Sequence, residues 1–186
     1  MNEMNSIINK FLEKTNRKFL FLFIFFLFIL ASISVFHGLN LANTSEAGGG
    51  VDFQYSPTVL FLEKINPYEY FISGNLDNRI MRAQWPSYSH ATYVFLAPFG
   101  FLEWEIARFI WSIINFITAL CCVILISKFC KLKVFETIIV CLIFFCSSGF
   151  RNCITNGNQT FFVLLFFLAV LINRESLKNF ILGISY

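Results

Sequence analysis

The chain has 186 residues, of which 57% are hydrophobic and 13% charged, with 26 phenylalanines and a formal net charge of +3. A water-facing globular surface carries about 25% charged residues, so a soluble domain is excluded and an integral membrane protein is the expected class. The basic residues cluster at the ends of apolar runs, a topology signal rather than a nucleic-acid footprint.

Residues 1–18 are polar and carry Lys10, Lys14, Arg17 and Lys18. The run 19–36, FLFLFIFFLFILASISVF, then has no charge. Its length suits one helix across a hydrocarbon core of about 30 Å. It is long for the centre of a signal peptide, and no crisp A-x-A site follows, so a retained span is expected. A polar-aromatic stretch, 37–104, comes next. Within it, SPTVLFLEKI (56–65) reads as a short interfacial helix, capped by Ser56 with Pro57 in its first turn. Asn66-Pro67 is expected to end it. Trp85, Tyr88, Tyr93 and Trp104 suit the headgroup level of a bilayer. The segment 91–102, broken by Pro98 and Gly100, reads as re-entrant or interfacial.

Three further apolar runs follow, at 105–127, 134–150 and 160–172. Arg108, near the start of the first, is expected at an interface. A basic turn (128–133) and a polar loop (151–159) separate the runs. After the polar stretch 173–179, FILGISY is apolar and too short to span a bilayer, where about 20 residues are needed. The last element reads as unfinished, so an N-terminal portion of a larger membrane domain is expected. If each run crosses once, the basic tail and both basic turns share one side. The positive-inside rule makes that side cytoplasmic and puts loop 37–104 outside.

The six cysteines form no CxxC pair and have no His at ligand spacing; four lie in apolar runs and read as small hydrophobes. The outer loop holds the candidate chemistry. Asp52 follows three glycines, Gly48 to Gly50, that permit close backbone approach. A loop aspartate can also simply cap a turn. Arg79, Arg82 and Arg151 match phosphate oxygens by their guanidinium forks, or else snorkel to headgroups. His90 is a candidate for steadying a phosphate or a sugar hydroxyl. Glu63, Glu69 and Asp77 read as solvated loop faces. Gly157, Asn158 and Gln159 open the fourth run, either as a sugar- or phosphate-binding helix N-terminus or as a turn with an N-cap. NTS (43–45) and NQT (158–160) match the N-glycosylation sequon. No Gly-rich nucleotide loop and no DxD-like metal pair is present, which disfavours a nucleotide-sugar donor and a required metal. No cofactor and no nucleic acid is expected.

In order along the chain stand Asp52 with Tyr55, NPY (66–68), WPSY (85–88), APFGFL (97–102), ARFIWSIIN (107–115) and NGNQTFFVLLFFL (156–168). Over residues 35–186 this order resembles the N-terminal part of glycosyltransferase family 87, the polyprenol-phosphate-mannose-dependent mannosyltransferases of the multi-span GT-C superfamily. The chain departs from it with Trp85-Pro86-Ser87 where members often have Tyr-Pro-Pro, and Gly157-Asn158 where Gly-Gln is common. Members are also about twice as long or more. The resemblance implies an all-α, polytopic bundle with a long first outer loop. It implies an inverting transfer of a hexose, mannose first, from a polyprenyl-phosphate donor to a glycan or glycolipid acceptor outside the cell membrane. It makes Asp52 the general base, with Tyr55, Arg79, Arg82, His90, Arg151, Asn158 and Gln159 toward substrate or phosphate. The rival readings are a transporter or channel subunit, against which no ionisable residue lies deep in a span, and a non-catalytic scaffold.

Overall fold

A computed structural model describes residues 17–44, 50–74 and 84–172. Among them it is all-helical, with no strand. In lipid the backbone must satisfy its own polar groups, and an isolated apolar run can do so only as a helix. Helix α1, Arg17–Thr44, has 28 residues and so reaches about 42 Å. That exceeds the hydrocarbon core by about 12 Å. The polar last turns, with Asn40, Asn43 and Thr44, lie past the apolar run read at 19–36. The phenylalanines of α1 face outward; Phe21 is 70% exposed, as suits a lipid contact.

A 3-10 turn at Val51–Phe53 leads into α2, Tyr55–Leu62, and α3, Pro67–Ile72. Helix α2 starts one residue before the expected cap. Gln54 holds the N-cap position, in the left-handed region at φ 62°. Ser56 is no cap, because its backbone N–H, inside the first turn, donates to Gln84 Oε1 at 2.8 Å. Asn66 does more than end α2. Its side chain accepts from Tyr68 N at 3.1 Å, and with Pro67 at the first position it starts α3. Helix α4, His90–Gly100, runs through Pro98 without the expected break and ends at Gly100, the second residue read as one. It packs on α2 so closely that a Cβ at Gly100 would meet Leu62 Cδ1 at 2.6 Å.

Helix α5, Trp104–Phe129, buries one stripe: Trp104, Ala107, Trp111, Ser112, Asn115, Ala119 and Cys122. The spacing of three and four is that of one helix face. Its small and polar members allow close helix approach and hydrogen bonds across helices; Asn43 Nδ2 of α1 donates to Ser112 Oγ at 3.2 Å. Arg108, expected at an interface, is folded into this stripe. Its guanidinium lies 5.5 Å from the Trp104 ring centroid and pairs with Glu105.

The run read as one span at 134–150 is two helices, α6 (Val134–Cys146) and α7 (Ser148–Asn156), bent by 59°. Ser147 makes the bend. Its backbone is extended, and its hydroxyl accepts from Phe150 N at 3.1 Å to start α7. The loop read at 151–159 is thus mostly helix. Helix α8, Thr160–Ile172, is apolar and 13 residues long, about 20 Å. Two helices, α1 and α5, are long and apolar enough to cross a membrane, and the bent pair makes a third if it is one span.

Ala31, Ala42, Ala119, Phe145, Phe150, Ile154 and Phe161 close the core where α1, α5, α6, α7 and α8 meet. A second cluster, Phe53, Tyr55, Leu96, Trp104, Ala107 and Trp111, lies under the Asp52 turn.

A candidate active site around Asp52

Three segments far apart in sequence meet at Asp52: the turn 50–54, the strand-like stretch 84–88 and the α7–α8 junction. Two buried glutamines tie the first two together. Gln84 Nε2 donates to Gly50 O at 2.7 Å, while its Oε1 takes the Ser56 N–H. Gln54 Nε2 donates to Trp85 O at 2.9 Å, and its Oε1 accepts from Ser87 N at 3.1 Å. Each side chain uses donor and acceptor on main-chain groups of the other segment. Replacing Gln84 by Leu would leave a buried N–H and a buried C=O unpaired, at about 1–3 kcal/mol each. Gln84→Leu is expected to lower stability by about 2–5 kcal/mol in detergent thermal unfolding, and to weaken activity through the displaced turn.

The third segment is held by Gly50 N, which donates to Thr155 O at 2.9 Å. Gly157 closes α7 at φ 68°, a conformation that favours glycine. A Cβ there would also lie 3.1 Å from Phe53 Cβ and 3.2 Å from the Trp111 ring. Trp111 Nε1 donates to Gly157 O at 2.7 Å. Its ring is stacked between Phe53, at 5.0 Å and 10°, and Phe162, at 5.1 Å and 11°. Phe53, next in chain to Asp52, is thereby clamped.

Asp52 itself is half-buried. Its Oδ2 accepts from Asn158 Nδ2 at 3.2 Å. Asn158 Oδ1 accepts from Thr160 N at 2.8 Å and from the Thr160 hydroxyl, so Asn158 also caps α8, as one of the two readings of this stretch expected. Tyr88 lies within reach of the Asp52 charge. Burial first, and then that charge, pushes its phenol above the usual tyrosine value, which keeps it a neutral O–H. The carbonyl of Tyr88 accepts from the Tyr68 hydroxyl.

Tyr55 sits below Asp52, and its hydroxyl donates to Leu102 O at 2.6 Å. Burial, and next Glu103, raises its phenol. Gln159 follows Asn158 and lines an apolar groove between α4 and α8 of ≈ 390 Å³, with Ala91, Thr92, Phe95, Phe162 and Phe166. Its Nε2 is buried and makes no hydrogen bond. Arg151, on α7, faces α1, with its Cγ 3.6 Å from where a Cβ of Gly38 would sit. His90 stands elsewhere, among the rings of Phe61, Tyr68 and Tyr93, beside a pocket of ≈ 340 Å³ lined by Lys64 and Asn66. The structure therefore joins Asp52 to Asn158, places Gln159 in the groove between α4 and α8, and leaves His90 with other neighbours. Arg79, Arg82, Gly48 and Gly49 lie outside the described residues.

Two of the four aromatic residues read for the headgroup level are covered by protein: Tyr93 is fully buried, and Trp104 is 8% exposed. Tyr93 donates to the Tyr68 hydroxyl at 3.4 Å. Trp85 is exposed and 5.2 Å from Phe71. The asparagine amides of both sequons are engaged, Asn43 on Leu39 O at 2.7 Å and Asn158 on Asp52. The Gln54–Gln84 clamp was not picked out from sequence, and Tyr88 and Trp111 were noted only as parts of aromatic motifs. Among the described residues no three His, Cys, Asp or Glu side chains come together in a metal-binding cluster.

Compared with known proteins, residues 87–185 match a family model, glycosyltransferase family 87. No match was found among curated proteins or among solved structures.

Proposed function

The chain belongs to glycosyltransferase family 87 and is a membrane glycosyltransferase, and from that premise we propose that it moves a hexose, mannose first, from a polyprenyl phosphate to a glycan or glycolipid. Asp52 acts as the general base. It takes the proton of an acceptor hydroxyl as that oxygen bonds to the anomeric carbon. The C–O bond to phosphate breaks, its electron pair leaves with the phosphate, and the configuration inverts. One carboxylate is enough, because the leaving group is a good one; glycoside hydrolysis, with a poorer leaving group, usually uses two.

The observation that carries this reading is the pinned turn. The turn that carries the carboxylate is held by main-chain and aromatic contacts, and the amide that holds the carboxylate is followed in chain by Gln159, which lines an apolar groove. Such a groove suits a prenyl chain, and the unpaired Gln159 amide suits a phosphate oxygen. Arg151, Arg79 and Arg82 are candidate phosphate contacts. His90 and Tyr55 are held as substrate contacts at longer range. The donor being lipid-linked, no cofactor is invoked.

The sidedness belongs to the same proposal. Gly50, Thr155 and Gly157 lie at one end of the bundle. The basic turn with Lys128, Lys131 and Lys133 lies at the other end of α5. With the basic end in the cytoplasm, residues 37–104 face outward from the cell membrane and the whole chain acts as one membrane domain.

The test is a donor comparison. Membranes containing the protein are given radiolabelled polyprenyl-phosphate mannose or nucleotide-linked mannose. Transfer from the lipid donor alone is expected. Transfer from the nucleotide sugar alone would overturn the donor assignment, and none from either would overturn the transferase reading of this site.

A further inference from the structure

We infer that Asn158 is a positioning residue that orients Asp52, and not a ligand of sugar or phosphate. The inference rests on the reading of Asp52 as the base.

A carboxamide has one oxygen that accepts and one nitrogen that donates. Which end points where is decided by the surrounding network. Around Asn158 the network admits one answer. The Thr160 N–H, 2.8 Å away, and the Thr160 hydroxyl both reach the same side of the amide. The main-chain N–H can only donate, so the oxygen faces it. The NH₂ must then face the other way, where Asp52 Oδ2 lies at 3.2 Å. Reversing the amide would set nitrogen against the Thr160 N–H and oxygen against a carboxylate.

The result is a chain of three groups. Thr160, at the start of α8, orients Asn158, and Asn158 orients Asp52. Among the described residues no hydrogen bond is made to Oδ1 of Asp52. Among the described residues, then, one carboxylate oxygen is held and the other makes no hydrogen bond. A base works only within hydrogen-bond reach of the proton it removes, and a misplacement of about 1 Å can cost on the order of 100-fold. The amide holding Oδ2 sets where Oδ1 points. With its oxygen used by Thr160 and its nitrogen by Asp52, Asn158 has its main polar capacity engaged before any substrate arrives.

Capping and orienting can be separated. Asn158→Ser keeps an oxygen that can cap α8 but cannot reach Asp52. Asn158→Ala removes both. The protein in membranes is assayed with polyprenyl-phosphate mannose for kcat and for KM of donor and acceptor, beside Asp52→Asn.

Both Asn158 variants are expected to lose roughly 10- to 100-fold in kcat, with each KM within about twofold of wild type. A KM that rises with kcat unchanged would make Asn158 a substrate ligand and overturn the inference. Ser behaving like wild type would reduce Asn158 to a helix cap and overturn it as well. Full transfer by Asp52→Asn would instead remove the premise, as would no transfer by wild type. Those outcomes are told apart from the first two by the wild-type and Asp52→Asn lanes alone.

Discussion

Asp52→Asn is expected to cut sugar transfer by at least about 100-fold, with protein levels unchanged. General bases contribute about 10²- to 10⁴-fold, and the substitution removes only the ability to take a proton. Its side chain has the same shape, and its amide oxygen can still accept from Asn158 Nδ2, which lies 3.2 Å from Oδ2 in the wild type. The contacts that seat the turn are also kept: Gly50 N on Thr155 O at 2.9 Å, and the clamp by Gln84. Initial rates in membranes, normalised to immunoblot signal, measure the effect. Rates within a few fold of wild type would show that the proton goes elsewhere.

The largest effect on stability is expected from Trp111→Ala. The indole is 1% exposed and touches three rings: Phe53 and Phe162 on its faces, and Phe99 edge-on at 5.3 Å and 82°. Truncating a buried Trp typically costs about 3–5 kcal/mol, because the cavity collapses only in part. Aromatic pairing adds about 0.5–1.5 kcal/mol for each pair lost. The Gly157 carbonyl would lose its 2.7 Å donor at the same time. Trp111→Phe keeps much of the stack and loses only the N–H, so a cost of about 1–3 kcal/mol is expected. Thermal unfolding in detergent is expected to rank wild type above Phe and Phe above Ala. Equal midpoints for all three would mean that the stack does not hold the site.

How much of this was legible in sequence depended on the range of each interaction. Helix α1 was plain, because an unbroken apolar run has one stable state in lipid. The bend at Ser147 was not, because hydropathy stays high on both sides of it and the cause is one hydroxyl. Asp52 could be singled out by its place after the first run, though its role came from the family resemblance. Its partner Asn158 was noted as an amide at a helix start; that it would also reach 106 positions back along the chain had no local sign. Gln54 and Gln84 left no pattern at all, since their partners are main-chain atoms 28 to 34 positions away. The burial of Tyr93 and Trp104 went unseen for a different reason. Amphipathic rings favour the headgroup level, a rule that says nothing of protein cover, and here α2 and the Asp52 turn supply that cover.

The separation of 106 positions between Asp52 and Asn158 also sets a clock. At about 5–20 residues per second, the ribosome makes the turn roughly 5–20 s before it makes the amide. Thr155, whose carbonyl receives Gly50, comes equally late. Until the bent pair and α8 have entered the membrane, the turn lacks the Thr155 carbonyl and the Asn158 amide that hold it. Membrane insertion of the bent pair and α8 is thus also the step that brings the Thr155 carbonyl and the Asn158 amide to the Asp52 turn.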